Sequence, residues 1–309
     1  MHLIQIFFSL EIQTDLLKGF TTNGFAIVPN IIDRKRISLV MENIYKLYCK
    51  FSNDESGFSG IEKPWNTNLF HEKLIKLRKN DRVSFGAIYD SLKTSLSITH
   101  LVTEDKVIQY AAEFLKTSVS DLAISEPMCR LDVPNDKRNN LDWHQEQSYF
   151  PQNRNGLNGL VCWIPLTDVT KEMGAIHICP KSFLEGTIKL CGDNDTKNDD
   201  LQSTQINVPE KLVKKYDDVV VSVNEGDAVF FNMLMFHRSG MNLSSKIRFA
   251  IQSRIHIATA DDFCPFELIN YYSPFVKQML IEKNYDCTDI PDNKRQPVSV
   301  MAKSKTNTN

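Results

Sequence analysis

The sequence has no CxxC pair and no cysteine spacing suited to zinc. Its seven cysteines, Cys49, Cys129, Cys162, Cys179, Cys191, Cys264 and Cys287, stand singly along 309 residues. An odd, dispersed set is not a disulfide framework and reads as the reduced thiols of a cytoplasmic protein. A surplus of one charge is also missing: 36 Lys and Arg against 38 Asp and Glu give a formal net charge of -2. Without a basic stripe there is no electrostatic footprint for nucleic acid. No apolar run reaches the roughly 20 residues that cross a bilayer. The opening MHLIQIFFSL is apolar but lacks the basic start and small-residue cleavage site of an export signal, and the acidic, helix-like EIQTDLLKGF follows it. Nucleic acid and membrane are thereby set aside, and a small soluble molecule is the expected partner. No internal repeat is visible.

What remains is ample core material, 42% hydrophobic against 24% charged residues, as in a soluble globular protein. The first third is mixed. GFAIVPN (Gly24 to Asn30) reads as a short strand ending in a turn. DRKRISLVMENIYKLYCK places Ile37, Val40, Met41, Ile44, Leu47 and Tyr48 at helical spacing behind Asp33 as N-cap. TEDKVIQYAAEFLKT is a second amphipathic helix, with Thr103 as its N-cap. From about Met128 short strand-like runs alternate with Gly, Pro, Asn and Asp, the pattern of a sandwich or barrel. The polar GDNDTKNDDLQSTQ (Gly192 to Gln205) reads as an exposed loop, and such loops often act as lids. The expected organisation is one domain over residues 1–291. It has a helical part over about 1–125, a β core over about 126–260, a helical segment over about 261–291, and a disordered tail at 292–309.

Three stretches carry candidate chemistry. In LDWHQEQSYFP (Leu141 to Pro151), strand alternation would put His144 and Glu146 on one face and Trp143 and Gln145 on the other. After the turn Glu225 to Asp227, a strand is expected to run to His237, which ends the row Val229, Phe231, Met233 and Met235. A histidine there is either a ligand or a core residue with one hydrogen bond. In KIRFAIQSRIHI, Ile247, Phe249, Ile251, Ile255 and Ile257 share a face with Ser253, while Arg248, Gln252, Arg254 and His256 share the other. That polar face is either solvated or looks into a barrel. In a barrel, each arginine must meet an anion, because an unpaired buried charge is very costly, and the guanidinium fork suits a carboxylate.

Taken together, WHQEQSYFP, GLVCWIPLTDVTKEMGAIHICPKSF, GDAVFFNMLMFHRSGMN and RFAIQSR resemble the phytanoyl-CoA dioxygenase family of Fe(II)- and 2-oxoglutarate-dependent oxygenases. FTTNGFAIVPNIID is similar to that family's opening segment. The resemblance implies a mainly β fold, a double-stranded β-helix or jelly roll of the cupin kind, flanked by helices. It implies that His144, Glu146 and His237 are the metal ligands, a two-histidine, one-carboxylate set that leaves positions open on Fe(II). Arg248 would pair with the distal carboxylate of 2-oxoglutarate, supported by Ser239, and Trp163 would line the cosubstrate pocket. The implied reaction is hydroxylation of an unactivated C–H bond with O2, as 2-oxoglutarate becomes succinate and CO2.

Two departures stand out. The family's usual carboxylate at position 146 is Asp; Glu146 keeps the ligand atoms on a longer arm and argues against halogenation, which needs a small residue there. The family's PGSH segment is PKSF here, with Lys181 and Phe183, which weakens any transfer of substrate identity. Gln147, Tyr149, Arg130 and Arg254 are the candidate substrate contacts, and their polar, basic character favours a small polar metabolite, with anions among the options, over a lipid chain. Two competing readings use the same ligands. A zinc hydrolase has two His and a Glu with an open position but no use for Arg248 and Ser239. A non-catalytic cupin-like sensor would typically have lost a ligand or the arginine.

Overall fold

The computed structural model describes residues 14–137, 140–150, 152–153, 155–188 and 207–263. The apolar N-terminus, the polar loop at 192–205, the tail, and all but the start of the expected 261–291 segment lie outside them. The helices come first: α1 (residues 14–23), α2 (Arg34–Ser52), α3 (Asn68–Asn80), α4 (Arg82–Leu92), α5 (Leu96–Val102) and α6 (Asp105–Leu115). Asp33 caps α2 as its sequence predicts, accepting from the Lys35 N–H at 2.8 Å, and Ile37, Val40, Met41, Ile44 and Tyr48 form the buried stripe. At α6 the cap differs. Glu104 precedes the helix, and Thr103 closes α5 by donating its hydroxyl to the Thr99 carbonyl at 2.7 Å. The Thr103 side chain is thus turned back onto α5, as Ser and Thr hydroxyls near a helix end often are, and does not cap α6.

Among the described residues, eight strands make two antiparallel sheets. The larger has the order β1 (Phe25–Val28), β6 (Ala228–Asn232), β3 (Gly159–Pro165), β8 (Arg248–Ile257), β2 (Leu122–Asp132). The smaller has the order β5 (Val219–Val221), β4 (Ile176–Ile178), β7 (His237–Arg238). Alternation along the strands explains why both faces of the larger sheet are buried. Leu160, Cys162, Ile164, Phe230, Phe249, Ile251 and Ile255 face the helices, whereas Val161, Trp163, Val229 and Phe231 pack against Ile176, Ile178 and Val221 of the smaller sheet. The result is a double-stranded β-helix with helices on its outer face. Phe249 anchors that outer layer, stacking on Phe70 of α3 with centroids 6.3 Å apart at 14°. Truncating so buried an aromatic to alanine costs about 3–5 kcal/mol.

The strand expected to run from Ala228 to His237 is broken. A turn at Met233 and Leu234, held by the Leu234 N–H on Asn232 Oδ1 at 2.8 Å, carries the chain from the larger sheet to the smaller one. Met233 and Met235 still join Val229 and Phe231 in one apolar cluster. The break therefore changes the strand pairing without changing the face.

Candidate active site

The segment around His144 is not a strand. His144 makes one isolated bridge with His237, the two residues exchanging backbone hydrogen bonds of 3.0 and 3.1 Å, and Glu146 then opens a short 3-10 turn, Glu146–Ser148. The period-two reading nonetheless orients the side chains correctly. Gln145 points away and locks the turn, its amide donating to Leu234 O and Gly186 O, each at 2.8 Å. His144, Glu146 and His237 converge, their ligand atoms all within 4.8 Å of one another, and all three residues are buried.

The hydrogen bonds fix the state of these atoms. His144 Nδ1 faces the Asp142 carbonyl at 2.6 Å and His237 Nδ1 the Met235 carbonyl at 3.0 Å, so each Nδ1 carries the proton. This assignment rests on the network. The unprotonated Nε2 atoms then face Glu146 Oε2 at 3.6 and 3.2 Å. Burial, with His144 adding to it, pushes His237 down, which keeps its ring neutral near pH 7. Burial pushes Glu146 up, but the Arg254 guanidinium overrides it and holds the carboxyl well below the usual range. Three electron pairs thus meet with no proton between them, an arrangement that suits a bound cation. Backbone carbonyls that orient metal-binding imidazoles in this way are a regular feature of such sites.

Beside these three residues is a small cavity lined by Arg130, Trp163, Ser239, Arg248 and Gln252, with His144 and His237 in its wall. Arg248 pairs with Asp132, its direct cross-strand partner on β2: Nε donates to Oδ2 at 3.0 Å, and Nη2 donates to the same oxygen. Nη1 is equally buried and has no hydrogen-bond partner among the described residues. Arg130 uses the other Asp132 oxygen at 3.4 Å. Two guanidinium groups share the Asp132 carboxylate, and the unmatched Nη1 corner of Arg248 is suited to an anion.

The structure therefore brings Trp163, Ser239, Arg248 and Arg130 to one cavity with the two histidines. Other residues go elsewhere. Arg254 is turned to Glu146, Tyr149 packs edge-on against the His144 ring at 5.6 Å, and the Gln147 side chain lies against Gly156. Sequence reasoning missed three cavity neighbours. Asp132 was detectable as an opposite charge two residues after Arg130 on one strand face, and Gln252 as a member of the arginine face. Arg238, also in the wall, lies over Trp143 at 5.1 Å and pairs with Asp218 at 3.2 Å. Nothing in its local sequence signals this placement.

The sequence profile of phytanoyl-CoA dioxygenase (PhyH) matches residues 20–250, most of the chain and all of its site residues except Arg254. The chain belongs to the phytanoyl-CoA dioxygenase family. Solved structures with a similar fold include the non-heme alpha ketoglutarate dependent epimerase SnoN from nogalamycin biosynthesis, 17% identical, with a TM-score of 0.54 over 93% of each chain. A second SnoN structure, in complex with Fe3+, alpha ketoglutarate and nogalamycin RO, is 16% identical with a TM-score of 0.55, covering 94% of this chain and 96% of that one. AviO1 from Streptomyces viridochromogenes is 17% identical with a TM-score of 0.50, over 82% of this chain and 97% of its own. No protein of curated function matches the sequence. In this family member no helix among the described residues is long and apolar enough to cross a membrane.

Proposed function

We propose that this family member is an Fe(II)- and 2-oxoglutarate-dependent oxygenase that hydroxylates an unactivated C–H bond of a small polar metabolite. One observation supports this above the rest. Three converging electron-pair donors stand beside a buried guanidinium corner, Arg248 Nη1, that has no hydrogen-bond partner among the described residues. His144, Glu146 and His237 are the residues that would hold the metal. Arg248 is suited to the distal carboxylate of 2-oxoglutarate, and Ser239 and Trp163 line the same cavity. The chemistry supplied there is oxidative decarboxylation of 2-oxoglutarate to succinate and CO2, with one O2 oxygen entering succinate and the other the substrate.

The protein's own part is positional. The two Nδ1–H bonds to backbone carbonyls hold both imidazoles with Nε2 inward, and the buried wall of Trp163, Ile176 and Phe231 excludes water. Asp132 fixes two nitrogens of the Arg248 guanidinium, Nε and Nη2, and so aims the third, Nη1. A zinc hydrolase would leave Arg248 Nη1 without a use, and a non-catalytic sensor would not need both the complete ligand set and the arginine. The epimerase activity of SnoN marks a different outcome open to this chemistry, in which the substrate is isomerised and not hydroxylated.

The deciding experiment is an anaerobic Fe(II) titration in the presence of 2-oxoglutarate, followed by the metal-to-ligand charge-transfer band. The reading expects the band in the wild type and its loss in His237→Ala. A wild type without the band would overturn it. Succinate formation screened against a metabolite library, with products analysed by mass, separates hydroxylation (a gain of one oxygen) from isomerisation.

A further inference from the structure

Arg254 is one of the most deeply buried charges among the described residues, 3% exposed, and it projects from β8 beside Val161 of β3. Its Nε donates to Glu146 Oε1 at 2.7 Å, and its Nη2 donates to that same oxygen. The guanidinium plane is packed on the Phe150 ring, 3.8 Å from Cζ to the centroid, and the Phe150 N–H is itself bonded to the Glu146 carbonyl at 3.0 Å. Both contacts thus return to Glu146. All the Arg254 hydrogen bonding to Glu146 falls on Oε1, while Oε2 alone faces the two histidines.

We propose that Arg254 is a positioning residue that restricts Glu146 to one-oxygen coordination of the metal. The inference rests on the iron reading above. A glutamate has one more rotatable bond than an aspartate, enough to swing both carboxylate oxygens onto a nearby cation. Two imidazoles and a chelating carboxylate would fill four positions of an octahedral ion and leave two. A keto acid held through two oxygens already takes two positions, so O2 would have none. By occupying Oε1 with two charge-assisted donors, Arg254 would keep three positions open. The arginine therefore makes the longer ligand behave as a short one. Its effect on the metal would pass through Glu146.

The test compares wild type, Arg254→Gln, Arg254→Lys, Glu146→Asp and the double variant Glu146→Asp/Arg254→Gln. Anaerobic Fe(II) affinity is measured by competition calorimetry, and the Fe(II)·2-oxoglutarate band by absorption, with circular dichroism of the metal-free protein as a check on folding. Arg254→Gln is expected to weaken Fe(II) binding by about 10- to 100-fold, the usual range when a partner of a metal ligand is lost, and to shift or weaken the band. Arg254→Lys keeps the charge but loses the fork and falls between. It carries the same comparison should Arg254→Gln fail to fold. Glu146→Asp, too short to reach both Arg254 and the metal, is expected to lose affinity in the wild-type background and to lose far less once Arg254 is gone. A purely structural ion pair would couple the two positions in stability but not in the band. Wild-type affinity and an unshifted band in both Arg254 variants, or strict additivity of the double variant, would overturn the clamp alone. No Fe(II) binding by the wild type would overturn the iron reading itself.

Discussion

Arg248 and Asp132 are direct cross-strand neighbours whose side chains meet inside the barrel, with Arg248 Nε on Asp132 Oδ2 at 3.0 Å. Cross-strand pairs are the unit of sheet stabilisation, and this pair also aims the free guanidinium corner at the cavity. Asp132→Asn removes the charge that two arginines share. Breaking a buried ion pair costs about 3–5 kcal/mol, so the midpoint of urea unfolding should fall. Its 2-oxoglutarate affinity, measured by titration of the Fe(II) protein, should fall with it.

Arg248→Gln is expected to act more narrowly. Losing a charge-assisted hydrogen bond worth about 1.5–3 kcal/mol should weaken 2-oxoglutarate binding by about ten- to a hundred-fold while Fe(II) still binds. Equilibrium titrations of metal and cosubstrate, done separately, read the two effects. Equal loss of both would contradict the assignment of Arg248 to the cosubstrate.

Metal removal distinguishes the reactions. Chelator-treated protein should form no succinate, Fe(II) should restore it, and Zn(II) should not. Restoration by Zn(II) of a hydrolytic activity, without succinate, would favour the hydrolase.

A pH effect follows from His71, whose Nδ1 accepts the Ile247 N–H at 3.1 Å, one residue before Arg248. Burial, with Lys246 adding to it, pushes His71 from 6.5 down to about 4. Between those values the unfolded chain binds the proton and the folded one does not, so stability rises with pH across that window. The contribution is complete above about 6.5. It is lost as pH falls towards 4, by up to about 3 kcal/mol. His256, pushed by burial and then by Arg254 to about 4, adds to the same slope. Urea unfolding at pH 5 and pH 7 should show the difference, and His71→Asn, whose amide oxygen can still accept the N–H, should flatten it. An unchanged slope in that variant would exclude His71.

Much of this was legible in the sequence because alternation is a local property. Residues 247–257 sort into an apolar face and a polar face by counting, and the structure buries both, one against helices and one within the barrel. The convergence of His144, Glu146 and His237 came from the family motif. What could not be read were facts that depend on three-dimensional closure. The 3-10 turn at Glu146 and the turn at Met233 and Leu234 are set by the need to pass between sheets, which overrides strand propensity. The partner of Arg254 lies 108 residues away, and no spacing rule links the two. Asp132 was within reach, since a strand pairing of its segment with 248–257 would have placed it opposite Arg248.

The break after β6 gives the metal centre a mechanical role. His237 sits in the smaller sheet, whereas Arg248 and Arg254, the latter gripping Glu146, sit in the larger one. A cation held by His237 and Glu146 would staple the two halves of the barrel across their seam. Ligand that binds only the folded state stabilises it by mass action, in proportion to the logarithm of its concentration over Kd. The melting temperature of this enzyme should therefore report the iron supply of its surroundings, and an iron-starved chain should be the first to open along that seam.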